Sequence, residues 1–346
     1  MLKNDRTFQC IINDRCNNNC LFCIDRVDRK NTRKKKESFF HDEPKSHLHI
    51  IKAINQAARK TKNIIFTGPE PTLNDSLIEY IKSARAAGYT NIRLITNARR
   101  LSYMAYAKAL VESGLTEIIV SLHGSNKKVH DALTCAQGSF EQTAKACGNL
   151  NKLKESDHFE WRINLTLNAI NAADLPDFFR LALRFKSAAS IGVNTVIPAG
   201  KGLVFLNRLS PNYTYLAESF KNAYTALRSQ FSFDKDFTLQ KKSFPLAFLP
   251  TRSPKRIGLG IVGLPVCLFK GAENLVGSFE AALVNKNKTV KIEKRDPDRI
   301  KGKSCVKCSY MSTCEGVWKP YITRYGWKEF KPVTSSRRNQ SYHDNR

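Results

Sequence analysis

A chain of 346 residues with 42% hydrophobic and 25% charged residues has the composition of a soluble globular protein, long enough for one large α/β domain and a small appendage. Ten cysteines are too few and too clustered for a disulfide scaffold; seven fall into two groups that look like metal ligands, which points to a reducing cytosol. The formal net charge of +27 favours anionic partners such as nucleic acid, acidic peptide or phosphorylated metabolite, and solvated basic faces account for it equally well.

The N-terminal stretch Met1 to Arg6 has no apolar core, and the longest apolar-leaning run, Ile257 to Phe269, is broken by three glycines and Pro265. Neither a signal peptide nor a membrane span is expected, and the protein should be cytoplasmic with no membrane partner. The short apolar run Phe8 to Ile12 reads as a first strand. Directly after it come Cys16, Cys20 and Cys23, at C-x3-C-x2-C spacing. Three thiolates this close can meet at one centre only if the loop wraps around it. Structural zinc usually takes four protein ligands, whereas a [4Fe-4S] cluster held by three cysteines leaves one iron open. Part of a zinc site, or three unrelated loop cysteines, are the alternatives.

Lys30 to Pro44 is polar, basic and aperiodic, a surface loop or lid. Leu48, Ile50, Ile51, Ile54, Ala57 and Ala58 recur at helical spacing. Ile64 to Phe66 forms a buried strand ending in Thr67-Gly68-Pro69-Glu70-Pro71-Thr72. Ser76-x-x-Glu79 reads as a capping box opening a helix that Gly88 ends. A strand from Ile92 to Thr96 runs into Asn97, a helix carries Met104, Ala107, Leu110 and Val111, and a strand spans Glu117 to Leu122. Ser139-x-x-Gln142 starts a helix reaching about Leu153; Trp161, Ile163, Leu165 and Leu167 alternate as a strand. A helix from Asp174 to Phe185, a strand from Ala189 to Ile197 and a helix near Tyr215 to Leu227 complete six strand-helix repeats.

Such repeats imply an α/β fold, a parallel sheet with helices outside, curled into a partial (β/α)6 TIM-like barrel. Functional loops then lie at the carboxyl ends of the strands, where the cysteine loop falls. Beyond about Gln230 the periodicity fails, and Pro245, Pro250 and Pro254 mark a change. The expected organisation is a barrel over residues 1–230, a cysteine-rich region over 231–332 and a polar basic tail over 333–346. In the second region Cys267, Cys305, Cys308 and Cys314 could bind zinc or a fully ligated [4Fe-4S] cluster, and spacing alone does not choose. The backbone carbonyls and carboxylate of the Gly68 to Pro71 turn can accept hydrogen bonds from an ammonium group.

The cysteine spacing, with Phe22 just before the last cysteine, resembles the signature of the radical S-adenosylmethionine (SAM) superfamily. The resemblance covers roughly residues 7 to 332. It implies that Cys16, Cys20 and Cys23 hold a [4Fe-4S] cluster whose open iron is chelated by SAM, with Phe22 beside the adenine. Gly68-Pro69-Glu70-Pro71 looks like the family's GGEP motif, which receives the SAM amino group; Pro69 replaces its second glycine. Thr96-Asn97 stands where a Thr-Asn-Gly turn is common, with Ala98 in the glycine's place. Ser121-Leu122-His123-Gly124, His130-Asp131 and Gly138 to Gln142 follow the fourth strand and next helix of subgroups. By the same likeness Ser121, and Arg162 or Asn164, would bond the ribose or carboxylate of SAM, and Val196 and Pro198 would lie at the adenine. Strand alternation puts Arg162, Asn164 and Asn168 on one face. His123 and His130 have structural readings as a hydrogen-bonded strand-end residue and a helix-start residue. The C-terminal cysteines resemble auxiliary-cluster regions of SPASM or Twitch type, which favours a second [4Fe-4S] cluster over zinc. Cys10 and Cys147 are expected in the core, and Cys135 could face the site.

The implied activity is reductive cleavage of SAM to methionine and a 5′-deoxyadenosyl radical that abstracts hydrogen from a peptide or small-molecule substrate. An electron donor such as flavodoxin or ferredoxin would serve it. Modification of an RNA base is the runner-up, resting on charge alone. The basic stretch Arg26 to Lys36 lacks interleaved aromatics to stack bases, Phe39 and Phe40 coming only after it, so nucleic acid is not favoured. A two-cluster electron carrier or a zinc-stabilised nucleic-acid-binding protein is the non-enzymatic alternative.

Overall fold

The computed structural model describes residues 7–24, 46–153, 159–232, 257–277 and 298–334. The basic stretch from Arg26 to Lys36, the Pro245 to Pro254 segment and the tail beyond residue 334 lie outside the described residues. Strands β1 (Thr7–Ile11), β2 (Asn63–Thr67), β3 (Asn91–Thr96), β4 (Glu117–Ser121), β5 (Glu160–Leu167) and β6 (Ser190–Thr195) pair in sequence order, every pair parallel. Right-handed crossovers between strands in consecutive order put all the connecting helices on one face of the sheet. The sheet therefore curls into a partial barrel with α1 (His47–Ala58), α2 (Leu77–Ala86), α3 (Met104–Glu112), α4 (Lys127–Thr134), α5 (Ser139–Leu153) and α6 (Leu175–Leu183) between its strands. Among the described residues no helix is long and apolar enough to cross a membrane.

Alternation sorts the strand side chains. Ile64, Phe66, Ile92, Leu94, Ile118, Val120, Trp161, Ile163, Leu165, Ile191 and Val193 face the helices and share one hydrophobic core with them. The register aligns Arg93 with Ile65 and Glu117, Arg162 with Ile119 and Ser190, and Ser121 with Asn164. These residues therefore share the other, inner face, which is largely polar. Near the amino ends of the strands Arg93 Nη2 donates to Thr7 Oγ1 at 3.0 Å, and Arg162 Nε forms an ion pair with Glu117 Oε1. This buried network forms the floor of the barrel. Removing either partner of a buried ion pair leaves an uncompensated charge and costs about 3–5 kcal/mol.

The sheet continues beyond residue 230, where the sequence pattern suggests the barrel ends. After α7 (Gly200–Val204), α8 (Leu206–Leu209) and α9 (Tyr213–Leu227) come the short edge strand β7 (Phe231–Ser232) and β8 (Ile257–Val262). β8 pairs parallel with β6, from Ser190 opposite Gly258 to Asn194 opposite Val262. All six residues of β8 are buried, so it lacks the half-polar alternation that reveals a strand. The capping box is a second departure. Ser76 caps α2 without a side-chain bond, because Asn74 Oδ1 holds its backbone N–H at 2.9 Å and Glu79 pairs with His47 at 3.2 Å.

The C-terminal segment adds a two-stranded antiparallel sheet, β9 (Arg299–Ile300) with β10 (Val317–Trp318), and α10 (Lys319–Tyr325). It docks on the start of α9. The rings of Tyr213 and Tyr321 stack with centroids 3.7 Å apart, and Glu329 Oε2 accepts from Thr214 N at 2.7 Å. Val317, Trp318, Tyr321 and Phe330 belong to the same core as the barrel.

Candidate active site at the carboxyl ends of the strands

Residues 12–24 leave the carboxyl end of β1, and their path is set by bonds to neighbouring elements. Asn13 Nδ2 donates to Glu70 O at 2.8 Å, and Ile12 O accepts from Asn74 Nδ2 at 2.8 Å. Further along, Asn19 N and Leu21 N donate to Thr134 O and Leu133 O at 2.8 and 2.9 Å, fastening the loop to the end of α4. Leu21 is buried with Leu133, Val196 and Leu209, and Phe22 packs on that cluster. With Leu21 and Phe22 anchored in this apolar patch, Cys16, Cys20 and Cys23 stay half-exposed around the bend. The Cys20 thiol is pushed up by burial first and then by Cys23 and Cys16, the behaviour of three thiols that share one small volume. Cys135 makes a smaller contribution from the same side; it is exposed, in the left-handed region at φ 48°. Among the described residues, no group of three or more His, Cys, Asp or Glu has the arrangement of a single-ion site.

The turn after β2 abuts this loop. Gly68 sits at φ +120°, a conformation that L side chains rarely adopt, and a Cβ there would press on Ile11 Cγ2 at 3.0 Å. Glu70 is 1% exposed. Its Oε1 accepts from Thr72 N, Thr72 Oγ1 and Thr96 Oγ1 at 3.0, 2.6 and 2.6 Å, and its Oε2 from Asn97 N at 2.7 Å. The carboxylate is thus engaged inside the protein, as a strut between the ends of β2 and β3. What the turn has left to offer a ligand is backbone, at Gly68 and Pro69, since Pro71 O already accepts from Asn74 N at 3.0 Å. Burial raises the Glu70 carboxyl and the four donors pull it back down. Asn97 in turn donates from Nδ2 to Asn17 Oδ1 at 2.7 Å and towards Cys16 Sγ at 3.8 Å. Ala98 takes the left-handed conformation, φ 59°.

The inner wall places Ser121 beside Asn164 in register. Asn164 Oδ1 accepts from Asn194 Nδ2 at 2.5 Å, while Asn194 Oδ1 is buried with no hydrogen-bond partner among the described residues. Gly192, Gly258 and Gly260 fall on the same face and leave room in front of it. Three sequence expectations differ here. Arg162 lies at the barrel floor, with Glu117 and Glu160, away from the cysteine loop, because its place near the start of β5 fixes its height. Asn168 lies beyond the end of β5, and its side chain turns back to Thr166 O and Ile170 N at 2.8 and 3.0 Å. Val196 sits in the apolar patch under Leu21, so any contact from this position to an adenine falls to its backbone. Asn194, Arg99 and Lys201 are site residues the sequence reading missed. Lys201, between glycines just past a strand end, is the one that left a local signal.

His123 packs edge-on against Phe22, with ring centroids 4.7 Å apart, and stacks on His130 at 5.8 Å. Each Nδ1 accepts a backbone N–H, His123 from Thr166 at 3.1 Å and His130 from His123 at 3.0 Å. Both rings are therefore held neutral with the proton on Nε2. Burial lowers His123 well below its ordinary value and brings His130 down to about 4. The unfolded chain takes up protons on these groups below pH 6.5 and the folded chain does not, so stability is full above that pH and falls between 6.5 and 4. By pH 5 His130 should contribute a loss of about 2 kcal/mol. Urea midpoints at pH 7.5 and 5 check this, and His130→Gln should flatten the difference.

The second cysteine group also comes together. Cys267, in the turn after β8, and Cys305, Cys308 and Cys314 line one cavity with Val266, Trp327 and Phe330. It encloses about 440 Å³, including space open to solvent, behind an almost wholly apolar wall. The Cys267 thiol is pushed up to about 12 by burial, then by Cys314, Cys308 and Cys305. Cys10 and Cys147 are buried in the core, and all ten cysteines are free thiols.

A parallel partial barrel with a three-cysteine loop at its mouth defines a class of protein, and the comparisons agree. The Radical SAM superfamily model matches residues 10–182. The chain belongs to this superfamily. It is 33% identical over 117 residues to the 7,8-dihydro-6-hydroxymethylpterin dimethyltransferase of Methanocaldococcus jannaschii, a match covering 34% of this chain and 22% of that protein. It is 28% identical over 144 residues to the mycofactocin maturase MftC of Mycolicibacterium smegmatis, covering 42% of this chain and 35% of the relative. The chain thus spans well under half the length of either. In fold it matches the structure of native anSMEcpe with bound AdoMet and the Cp18Cys peptide at a TM-score of 0.57 and 14% identity, over 94% of this chain and 96% of that one.

Proposed function

We propose that this chain is an enzyme that reductively cleaves SAM and uses the product to take a hydrogen atom from a peptide or small molecule. The observation that carries the reading is that Cys16, Cys20 and Cys23 lie half-exposed around one bend, closed by Cys23 N donating to Cys20 O at 3.3 Å, at the carboxyl ends of the strands, near a polar inner wall whose Asn194 Oδ1 has no partner among the described residues. Three thiols from one loop fit a [4Fe-4S] cluster with one open iron. Bound there, the cluster supplies one electron to the sulfonium of SAM, which breaks to methionine and a 5′-deoxyadenosyl radical.

The chain's own residues bind and orient. In the Gly68–Pro71 turn the Gly68 and Pro69 backbone offers carbonyls to the SAM amino group, Asn97 holds the cysteine loop against that turn, and Ser121, Asn164 and Asn194 present hydroxyl and amide groups to the ribose. Phe22, braced by His123, provides an apolar surface for the adenine beside the Val196 backbone. Cys267, Cys305, Cys308 and Cys314 would hold a second [4Fe-4S] cluster. Four thiolates fit a fully ligated cluster or zinc, and the likeness of these cysteines to auxiliary-cluster regions favours the cluster. A low-potential carrier such as flavodoxin or ferredoxin is the expected electron source, in a reducing cytosol suited to ten free thiols. The names of the two relatives, a pterin dimethyltransferase and a mycofactocin maturase, support a small-molecule or peptide substrate.

Anaerobic reconstitution tests both sites in one preparation. Wild type should bind about eight irons per chain, falling to about four when the four C-terminal cysteines become alanine. With dithionite and SAM it should release 5′-deoxyadenosine. Failure to release it would remove the enzymatic reading, and one zinc with four irons would reassign the second site.

A further inference from the structure

Three consecutive asparagines, Asn17, Asn18 and Asn19, separate Cys16 from Cys20, and cations grip this insert from two sides. Arg99, in the turn after β3, donates from Nη1 to Asn17 O and to Asn18 Oδ1, the latter at 3.0 Å. Gln142 Oε1 accepts from its Nε at 2.5 Å and fixes the guanidinium plane. Lys201, after β6, donates from Nζ to Asn19 Oδ1 at 2.7 Å, and its backbone N–H donates to Cys23 O at 2.9 Å. The β6 turn comes this close only because of its glycine. A Cβ on Gly200, at φ +53°, would lie 2.5 Å from Ile24 O and 2.7 Å from Cys23 O. β3 and β6 are separated by two strands in the sheet, so the two cations reach the insert from opposite sides. Among the described residues neither forms an ion pair with a carboxylate.

We propose that Arg99 and Lys201 form a cationic clamp on Asn17–Asn19, which positions Cys16 and Cys20 and raises the reduction potential of the cluster they hold. This rests on the cluster reading above. Positive charge close to a cluster favours its more negative, reduced form, and local charge is one of the levers on iron-sulfur potentials. Arg99 is the stronger of the two, since its guanidinium is partly buried while the Lys201 ammonium is open to solvent and screened. The insert itself has no regular structure, so tying each asparagine to a fixed donor removes the freedom that would otherwise be lost when the thiols are gathered. Both are positioning residues, acting through the loop.

The test uses full-length, anaerobically reconstituted protein carrying Lys201→Met, Lys201→Arg or Arg99→Met. Lys201→Met removes the charge and the Nζ bonds and keeps the backbone bond to Cys23. In an EPR-monitored titration, the potential of the SAM-responsive cluster should fall in Lys201→Met, fall further in Arg99→Met and recover in Lys201→Arg, with iron per chain unchanged. In apo-protein, amide exchange over residues 16–24 should quicken roughly tenfold in Lys201→Met as local protection is lost. Unchanged potential in both methionine variants with iron retained would overturn the electrostatic role, and unchanged exchange would overturn the clamp. If Arg99→Met does not fold, Asn19→Ala, which removes the nearer of the two Nζ acceptors and leaves Asn19 O at 3.4 Å, must still quicken exchange or the clamp is wrong. A wild type without a SAM-responsive cluster would instead sink the underlying reading, and the apo exchange measurement would still decide the clamp.

Discussion

Replacing Cys20 alone by alanine should abolish 5′-deoxyadenosine release and lower bound iron by about four per chain, while leaving the fold intact. Cys20 is the middle thiol of the three, and both Cys23 and Cys16 act on it. Alanine offers no donor, and two thiolates cannot hold a cluster that already leaves one iron open. The loop does not depend on that sulfur for its path. Asn19 N and Leu21 N remain bonded to Thr134 O and Leu133 O, and Leu21 remains buried. Unfolding free energy of the apo-protein should therefore change by less than about 1 kcal/mol. Iron analysis, product assay and urea unfolding on one preparation give the three readouts. Undiminished iron and product would mean that Cys20 is not a ligand.

Glu70→Gln should cost about 3 kcal/mol of stability, a large effect for a change of one atom. Four hydrogen bonds converge on a carboxylate that is 1% exposed. An amide can satisfy the three donors at Oε1 only by turning its NH2 towards Asn97 N, so two donors face each other where an acceptor stood. Leaving a buried donor unsatisfied costs about 1–3 kcal/mol, and more where the lost partner is charged. The damage should spread to the site, because the Asn97 backbone is released and with it the contact from Asn97 Nδ2 to Asn17. Thr72→Val, which deletes one hydroxyl donor and keeps the carboxylate, should cost about 1 kcal/mol. Urea midpoints measure both, and equal effects from the two variants would contradict the strut role.

The sequence by itself determined the alternation of strands and helices through β6, the cysteine loop after the first strand, and a second cysteine set far downstream. Each of these is written in the spacing of chain neighbours: periods of 2 and 3.6 residues for the elements, and steps of a few residues for the ligands. Tertiary structure alone decided what depends on strand order and register. β8 is buried on both faces, so no alternation marked it, and only pairing with β6 makes it a strand. Arg162 has the same residue type and strand face as a ligand contact would need, yet its height on β5 sends it to Glu117 at the barrel floor. Glu70 reads as a free carboxylate in its turn, until folding brings up Thr96 and Asn97, whose donors occupy it. Asn194 becomes a site residue only because β5 and β6 lie side by side. Arg99 and Lys201 meet the asparagine insert across residue separations of about 80 and 180, distances over which no sequence period carries information.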